Sequence, residues 1–189
     1  MGKKLSEMTL EELWMLFPIK LTEHNDEWGK QYTETAEYLE KKLSSLNIIR
    51  ISHIGSTAIN GIWAKPIVDI LVEIAIDENM QAAARQIEKC GFLRMSEEKG
   101  RISFNKGYTE NGFAEKVYHL HLRCAGDNDE LYFRDYLNDN PGIAGEYEQL
   151  KLSLWRQYEH NRDAYTEAKT NFIKKYTAKA RSQYGNRYE

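Results

Sequence analysis

The stretch His53-Ile54-Gly55-Ser56-Thr57-Ala58-Ile59-Asn60-Gly61-Ile62-Trp63-Ala64-Lys65-Pro66-Ile67-Val68-Asp69-Ile70-Leu71-Val72-Glu73-Ile74 decides the reading of this chain. A short β-branched run, Ile48 to Ile54, leads into it. The Gly55-Ser56-Thr57 turn comes next, and from Ile67 to Ile76 the residues are apolar except for Asp69 and Glu73. That is the pattern of strand, turn and buried strand. A glycine, two hydroxyls and Lys65 beside a strand carboxylate are the groups needed to hold a phosphate next to a metal ion. Taken alone, Gly-Ser-Thr has a plainer reading, with Ser56 and Thr57 as helix caps and Lys65 as a solvated charge.

Working outward, Thr9-Leu10-Glu11-Glu12 has capping-box spacing before Leu13, Leu16 and Phe17, which predicts a short helix ending at Pro18. Trp28, Tyr32, Ala36, Leu39 and Leu43 recur at three- and four-residue steps, so a helix with one buried face should precede the motif. Beyond the motif, Asp77 is a candidate cap for a helix over 80–90 that Gly91 stops. Residues 100–108 and 117–124 alternate around Thr109-Glu110-Asn111-Gly112, which predicts paired antiparallel strands in a mixed sheet. From Asp127 onward the pattern is helical. Asp127-Asn128-Asp129-Glu130 caps a first helix, Asn140-Pro141-Gly142 breaks it, and helices over 145–158 and 162–180 complete the chain. The expected class is α+β, a mixed sheet with flanking helices and a helical C-terminal third.

Composition narrows the function. The chain has 189 residues with 41% hydrophobic content, enough for one buried core. We divide it into an extension (1–18), one domain (19–180) and a tail (181–189). A net charge of −3 gives no global signal for nucleic acid or an anionic membrane, so any cationic site must be local. Two cysteines far apart and no signal-peptide pattern point to a reducing cytoplasm, and no apolar run reaches membrane-spanning length.

Five ordered segments resemble the GrpB family. They are His53 to Ala58 with Ala64 to Ile70, then His119-Leu120-His121-Leu122, Phe133 to Leu137, Tyr147 with Leu150-Lys151, and Tyr165-Thr166 with Lys169. The similarity runs from about Leu21 to Ile173, with Asn60 where relatives usually have proline. It implies a nucleotidyltransferase-like fold and a phosphate-binding turn at a helix start. The ligand would be a nucleotide or another phosphorylated small molecule, and the activity a metal-dependent nucleotidyl transfer. Because similar domains are found fused to a coenzyme A biosynthetic kinase, the alternative is a non-catalytic binding or accessory module.

Under the transfer reading Asp69 is the catalytic residue and a metal ligand, Gly55, Ser56 and Thr57 cradle phosphate, and Lys65 neutralises charge. Active members of this broad fold carry a second carboxylate two residues along the same strand. Here that position is Leu71. Glu73 is four strand residues from Asp69, about 13 Å away, too far to share an ion. It reads as a strand-end carboxylate near solvent. His119 and His121, two apart on a neighbouring strand, are the substitute ligands, which would suit Mn²⁺ or Zn²⁺ better than Mg²⁺. They could equally hydrogen-bond a phosphate without metal, or be half-buried strand residues. Arg134 and Asp135, adjacent on a helix, should point apart. Tyr147 with Lys151, and Tyr165 with Lys169, are i,i+4 pairs. Either these lysines and Arg134 contact phosphates while a tyrosine stacks on a base, or the lysine stems simply lie over tyrosine rings.

Overall fold

The computed structural model describes residues 3–189. Its centre is a five-stranded sheet of β1 (Ile48–Ile54), β2 (Val68–Ile74), β3 (Leu93–Glu98), β4 (Arg101–Thr109) and β5 (Gly112–Cys124), in the order β1-β2-β5-β4-β3. Only β2 and β5 run parallel, so the sheet is mixed as the patterning predicts. Successive side chains of a strand alternate between faces, and in β2 this sorts function from core. Val68, Ile70, Val72 and Ile74 join Trp28, Leu39 and Leu43 of α2 (Glu27–Lys42) and Ala83, Ala84 and Ile87 of α3 (Met80–Lys89) in the main core. Asp69, Leu71 and Glu73 face the other side. There Leu71 packs on Ile54 and on Leu131 of α4 (Asp129–Asp139).

The N-terminal helix α1 (Leu10–Leu16) has its expected capping box, the Thr9 hydroxyl accepting from the Glu12 amide at 3.2 Å. Behind it, Phe17 sets its ring against Tyr108 and Phe113, with centroids 4.8 and 5.0 Å away. The first two residues of the extension lie outside the described residues.

Several local expectations need correction. The cap of α3 is Asn79, whose side chain accepts from the Ala82 amide at 2.9 Å; Asp77 lies too far upstream. Asn128 stands at the N-cap position of α4 but does not cap it: its Nδ2 donates to the buried Glu73 carboxylate, which turns the amide so that its Oδ1 accepts from Arg181. Helix α5 (Pro141–Tyr158) starts four residues earlier than read, since Pro141 sits in the first turn, where its missing N–H costs nothing. The single helix expected over 162–180 is two, α6 (Arg162–Ala168) and α7 (Thr170–Tyr184), which meet at Lys169. The stretch read as a tail holds the end of α7 and a docked Tyr188, whose ring centroid lies 5.1 Å from that of Tyr132.

Candidate functional site

Asp69 stands at the start of β2, opposite Ile54 of β1 and His119 of β5. The turn after β1 passes directly over it. Gly55, at φ +72° and ψ −172°, holds a backbone region essentially reserved for glycine. A Cβ there would stand 2.3 Å from Asp69 Oδ2. Only glycine lets the chain cross the carboxylate this closely. Gly55 leads into a single 3-10 turn, Ser56–Ala58, rather than the expected helix, so this turn itself brings no long helix dipole to the site.

The structure separates the three residues of this turn. Ser56 lines both cavities beside Asp69. Thr57 is buried and donates to the Ile67 carbonyl at 3.2 Å, with His53 Nε2 2.9 Å from the same hydroxyl. Thr57 therefore ties the turn to β2 and has no proton to offer a phosphate. Burial, partly opposed by the Asp69 charge, pulls His53 down to about 4, so it is a neutral strut stacked on Tyr32.

Asp69, His119 and His121 do converge. His119 Nδ1 lies 3.0 Å from Asp69 Oδ1, and His121 Nε2 lies 3.5 Å from the same oxygen. Beyond it, His119 Nε2 meets the Tyr108 hydroxyl at 2.8 Å and Arg162 Nη2 at 3.3 Å. Burial, only partly opposed by Asp69, lowers the His119 pKa. A neutral imidazole that donates from Nδ1 and accepts at Nε2 satisfies this network. Burial pushes the Asp69 carboxyl up, but the two histidine hydrogen bonds outweigh it and hold the group ionised well below the usual carboxylate range.

A divalent-metal site asks more than these residues give. Leu71 is fully buried in the α4 contact. Glu73 is not near solvent as expected. It is 1% exposed, paired with Arg50 at 2.9 Å, and accepts from Asn128 and the Gly126 amide. The pleat that keeps it on the Asp69 face turns it toward α4 and the chain end. Asp69 itself is committed to the histidines. Among the described residues no group of three or more His, Cys, Asp and Glu side chains is arranged to share an ion. The donor set does not fit a two-carboxylate metal centre.

What the fold gathers around Asp69 instead is basic. A chamber of about 180 Å³ is lined by Lys65, Lys151, Arg162 and Lys169 with Ser56 and Asp69. Three of these ends lie against aromatic rings: Lys65 and Lys169 Nζ are 4.9 and 4.2 Å from the Tyr165 centroid, and Lys151 Nζ is 4.9 Å from that of Tyr147. Lys151 also donates to the Trp63 carbonyl. The ammonium ends of both i,i+4 pairs thus lie against tyrosine rings and at the same time line the cavity. Burial pulls Lys65 down to about 7, helped by the Arg162 and Lys169 charges; it pulls Lys151 to about 7 and Lys169 to about 8.

A larger cavity of about 530 Å³ adjoins the chamber and shares Ser56, Asp69 and Lys169 with it. Phe133, Tyr147 and Ile173 give it an apolar side. Tyr147 is itself buried between Phe133 and Phe172, and burial, offset in part by a hydrogen bond with Ser56, pushes its hydroxyl up to about 12.

Arg134 lines neither cavity. It donates to the His53 carbonyl at 2.7 Å and pairs with Asp135 at 2.7 Å, against the expectation that these neighbours point apart, because its long side chain can fold back over the next residue. Arg134 braces β1. Arg162 is the residue that sequence reasoning missed. Its signal was present, since Arg162, Tyr165 and Lys169 stand at i, i+3 and i+7, one helical face.

This geometry can be set beside known proteins. The model of the family described as GrpB protein matches residues 18–179. The chain belongs to the GrpB family. The glutamate-rich protein GrpB of Alkalihalophilus pseudofirmus is 33% identical over 81% of this chain and 90% of its own length. The UPF0157 protein YqkA of Bacillus subtilis is 32% identical over 90% of this chain, which spans only half of YqkA. The crystal structure of GrpB from Enterococcus faecalis superposes with a TM-score of 0.74 at 30% identity, covering 87% of this chain and 99% of that one. The Cid1 poly(U) polymerase with bound MgGTP superposes at a TM-score of 0.50 and 12% identity, over 78% of this chain and 46% of that one, a likeness of fold alone. The GrpB domain is thus a nucleotidyltransferase-like fold, and no helix among its described residues is long and apolar enough to cross a membrane.

Proposed function

We propose that this GrpB-family chain binds a nucleotide or a similar phosphorylated small molecule, with phosphates in the lysine chamber and the apolar body in the larger cavity. One observation carries the reading. Three lysines and an arginine line a single small chamber whose one lining carboxylate, Asp69, is already hydrogen-bonded to histidines. Crowding buried like charges without counter-charges is unfavourable, and an incoming anion removes the penalty. Ser56, at the join of the two cavities, adds a hydroxyl donor.

Nucleotidyl transfer is the second reading, favoured by the position of Asp69 where the cavities meet. Because Leu71 and the paired Glu73 leave Asp69 without a carboxylate partner, binding without transfer is the better supported role. The test is thermal unfolding with nucleoside triphosphates, coenzyme A precursors and inorganic phosphate, each with and without Mg²⁺, Mn²⁺ or Zn²⁺. A ligand at a hundred times its Kd stabilises by about 2.7 kcal/mol, roughly 5–10 °C for a chain of this size. Pyrophosphate release with any stabilising nucleotide would promote the second reading. No shift with any phosphate compound would overturn both.

A further inference from the structure

We infer that the chamber neutralises its phosphate ligand with protons taken up on its own lysines, in place of a divalent cation. This rests on the chamber being an anion site and specifies how that site works. Two independent sets of contacts support it.

The first is the fate of the carboxylates that would hold an ion. Glu73 is paired with Arg50, Leu71 is buried apolar packing, and Asp69 accepts from His119 with His121 beside it. A cation arriving at Asp69 would meet a single carboxylate whose Oδ1 is already hydrogen-bonded to His119 and whose Oδ2 lies beside Gly55.

The second is what faces the lysines. Lys65, just before β2, sees Arg162 of α6, Lys169 and the Tyr165 ring, with Asp69 as the acid facing it. Lys151 on α5 sees Lys169, the Tyr147 ring and Glu148, but Glu148 already accepts the Trp63 amide proton at 2.6 Å. Lys169, at the α6–α7 junction, sees Asp69 and Arg162. Arg162 in turn lies within 3.3 Å of the Tyr108 hydroxyl and His119 Nε2. A guanidinium does not deprotonate in proteins, so the lysines are the groups that can yield protons when the chamber is empty. Their depressed values, about 7 to 8, put that loss in the physiological range. A polyanion restores all three charges, so protons come from solution as it binds.

The experiment is calorimetric titration of the full chain with inorganic tripolyphosphate in EDTA and then in Mg²⁺. Buffers of different ionisation enthalpy count the protons, after subtraction of the ligand's own titration. We expect binding in EDTA with uptake of about two protons at pH 8, vanishing near pH 6. Mg²⁺ should weaken binding, because it competes for the same phosphate oxygens. Lys169→Arg, whose charge cannot titrate, should keep affinity within a few-fold and lower the uptake. Lys65→Met should lower both, with its fold checked by circular dichroism. Binding that needs Mg²⁺ or Mn²⁺, or binding in EDTA without uptake, would overturn this inference and leave the anion site standing. Failure of tripolyphosphate and every nucleoside triphosphate to bind under either condition would remove the anion site and this inference together.

Discussion

Replacing Gly55 with alanine tests the geometry on which the site depends. Two costs add. The backbone at φ +72°, ψ −172° is one that residues with a Cβ almost never adopt, a strain of about 1–3 kcal/mol. The new Cβ would also start 2.3 Å from Asp69 Oδ2 and 2.9 Å from Cγ, so the carboxylate must retreat by about 1 Å to reach ordinary contact. That stretches the 3.0 Å bond from His119 beyond useful length, and a hydrogen bond to a charged group is worth about 1.5–3 kcal/mol. We expect Gly55→Ala to cost about 3–5 kcal/mol, a fall in Tm of at least roughly 6–12 °C. Gly61 is the control: its φ is +73°, but nothing lies within 4 Å of its added Cβ, so Gly61→Ala should cost only about 1–2 kcal/mol. Urea unfolding of both variants gives the comparison. Combining Gly55→Ala with Asp69→Ala should recover about 1.5–3 kcal/mol relative to additivity, since the obstructing carboxylate is gone. Equal costs at the two glycines, or a strictly additive double mutant, would refute the claim that the turn rests on Asp69.

The lysine chamber makes ligand-free stability depend on pH in a defined direction. Lys65, Lys151 and Lys169 have folded pKa values of about 7, 7 and 8 against 10.5 ordinarily, so between about pH 7 and 10 the unfolded chain holds more protons and stability rises with pH. The slope approaches about 1.4 kcal/mol per pH unit for each lysine involved. Above about pH 10 the raised pKa of Tyr147 reverses the trend, so Tm should peak near there, and a Tm that falls steadily from pH 7 would contradict the buried cluster. Lys169→Met removes one of these charges and should improve stability relative to the parent more at pH 6.5 than at pH 9.5, by about 1–2 kcal/mol after allowing for its partial exposure. Glu73→Ala leaves Arg50 and Asn128 without their buried partner and should cost about 3–5 kcal/mol, while tripolyphosphate binding at low temperature stays unchanged. A loss under about 1 kcal/mol would mean Glu73 is solvated in solution.

Local periodicity determined several of the elements and the faces they bury. The apolar steps of α2, the run of β2 and the hairpin around Thr109–Gly112 come from spacing alone, and so does the placement of His119 and His121 on one face of β5. Helix ends were less legible where a cap was diverted, as at Asn128, whose amide serves Glu73 fifty-five residues away. Tertiary structure alone decided what each polar side chain meets. The parallel pairing of β2 with β5 puts His119 beside Asp69, and the docking of α4 on β1 turns Arg134 into a brace instead of a ligand contact. Lys65, Lys151 and Lys169 come from three separate elements, and no spacing in the chain shows that they share one chamber with Arg162. The physical reason is range: a residue's face is set by neighbours two to four positions away, whereas its charge environment is set by groups brought close only when distant segments pack.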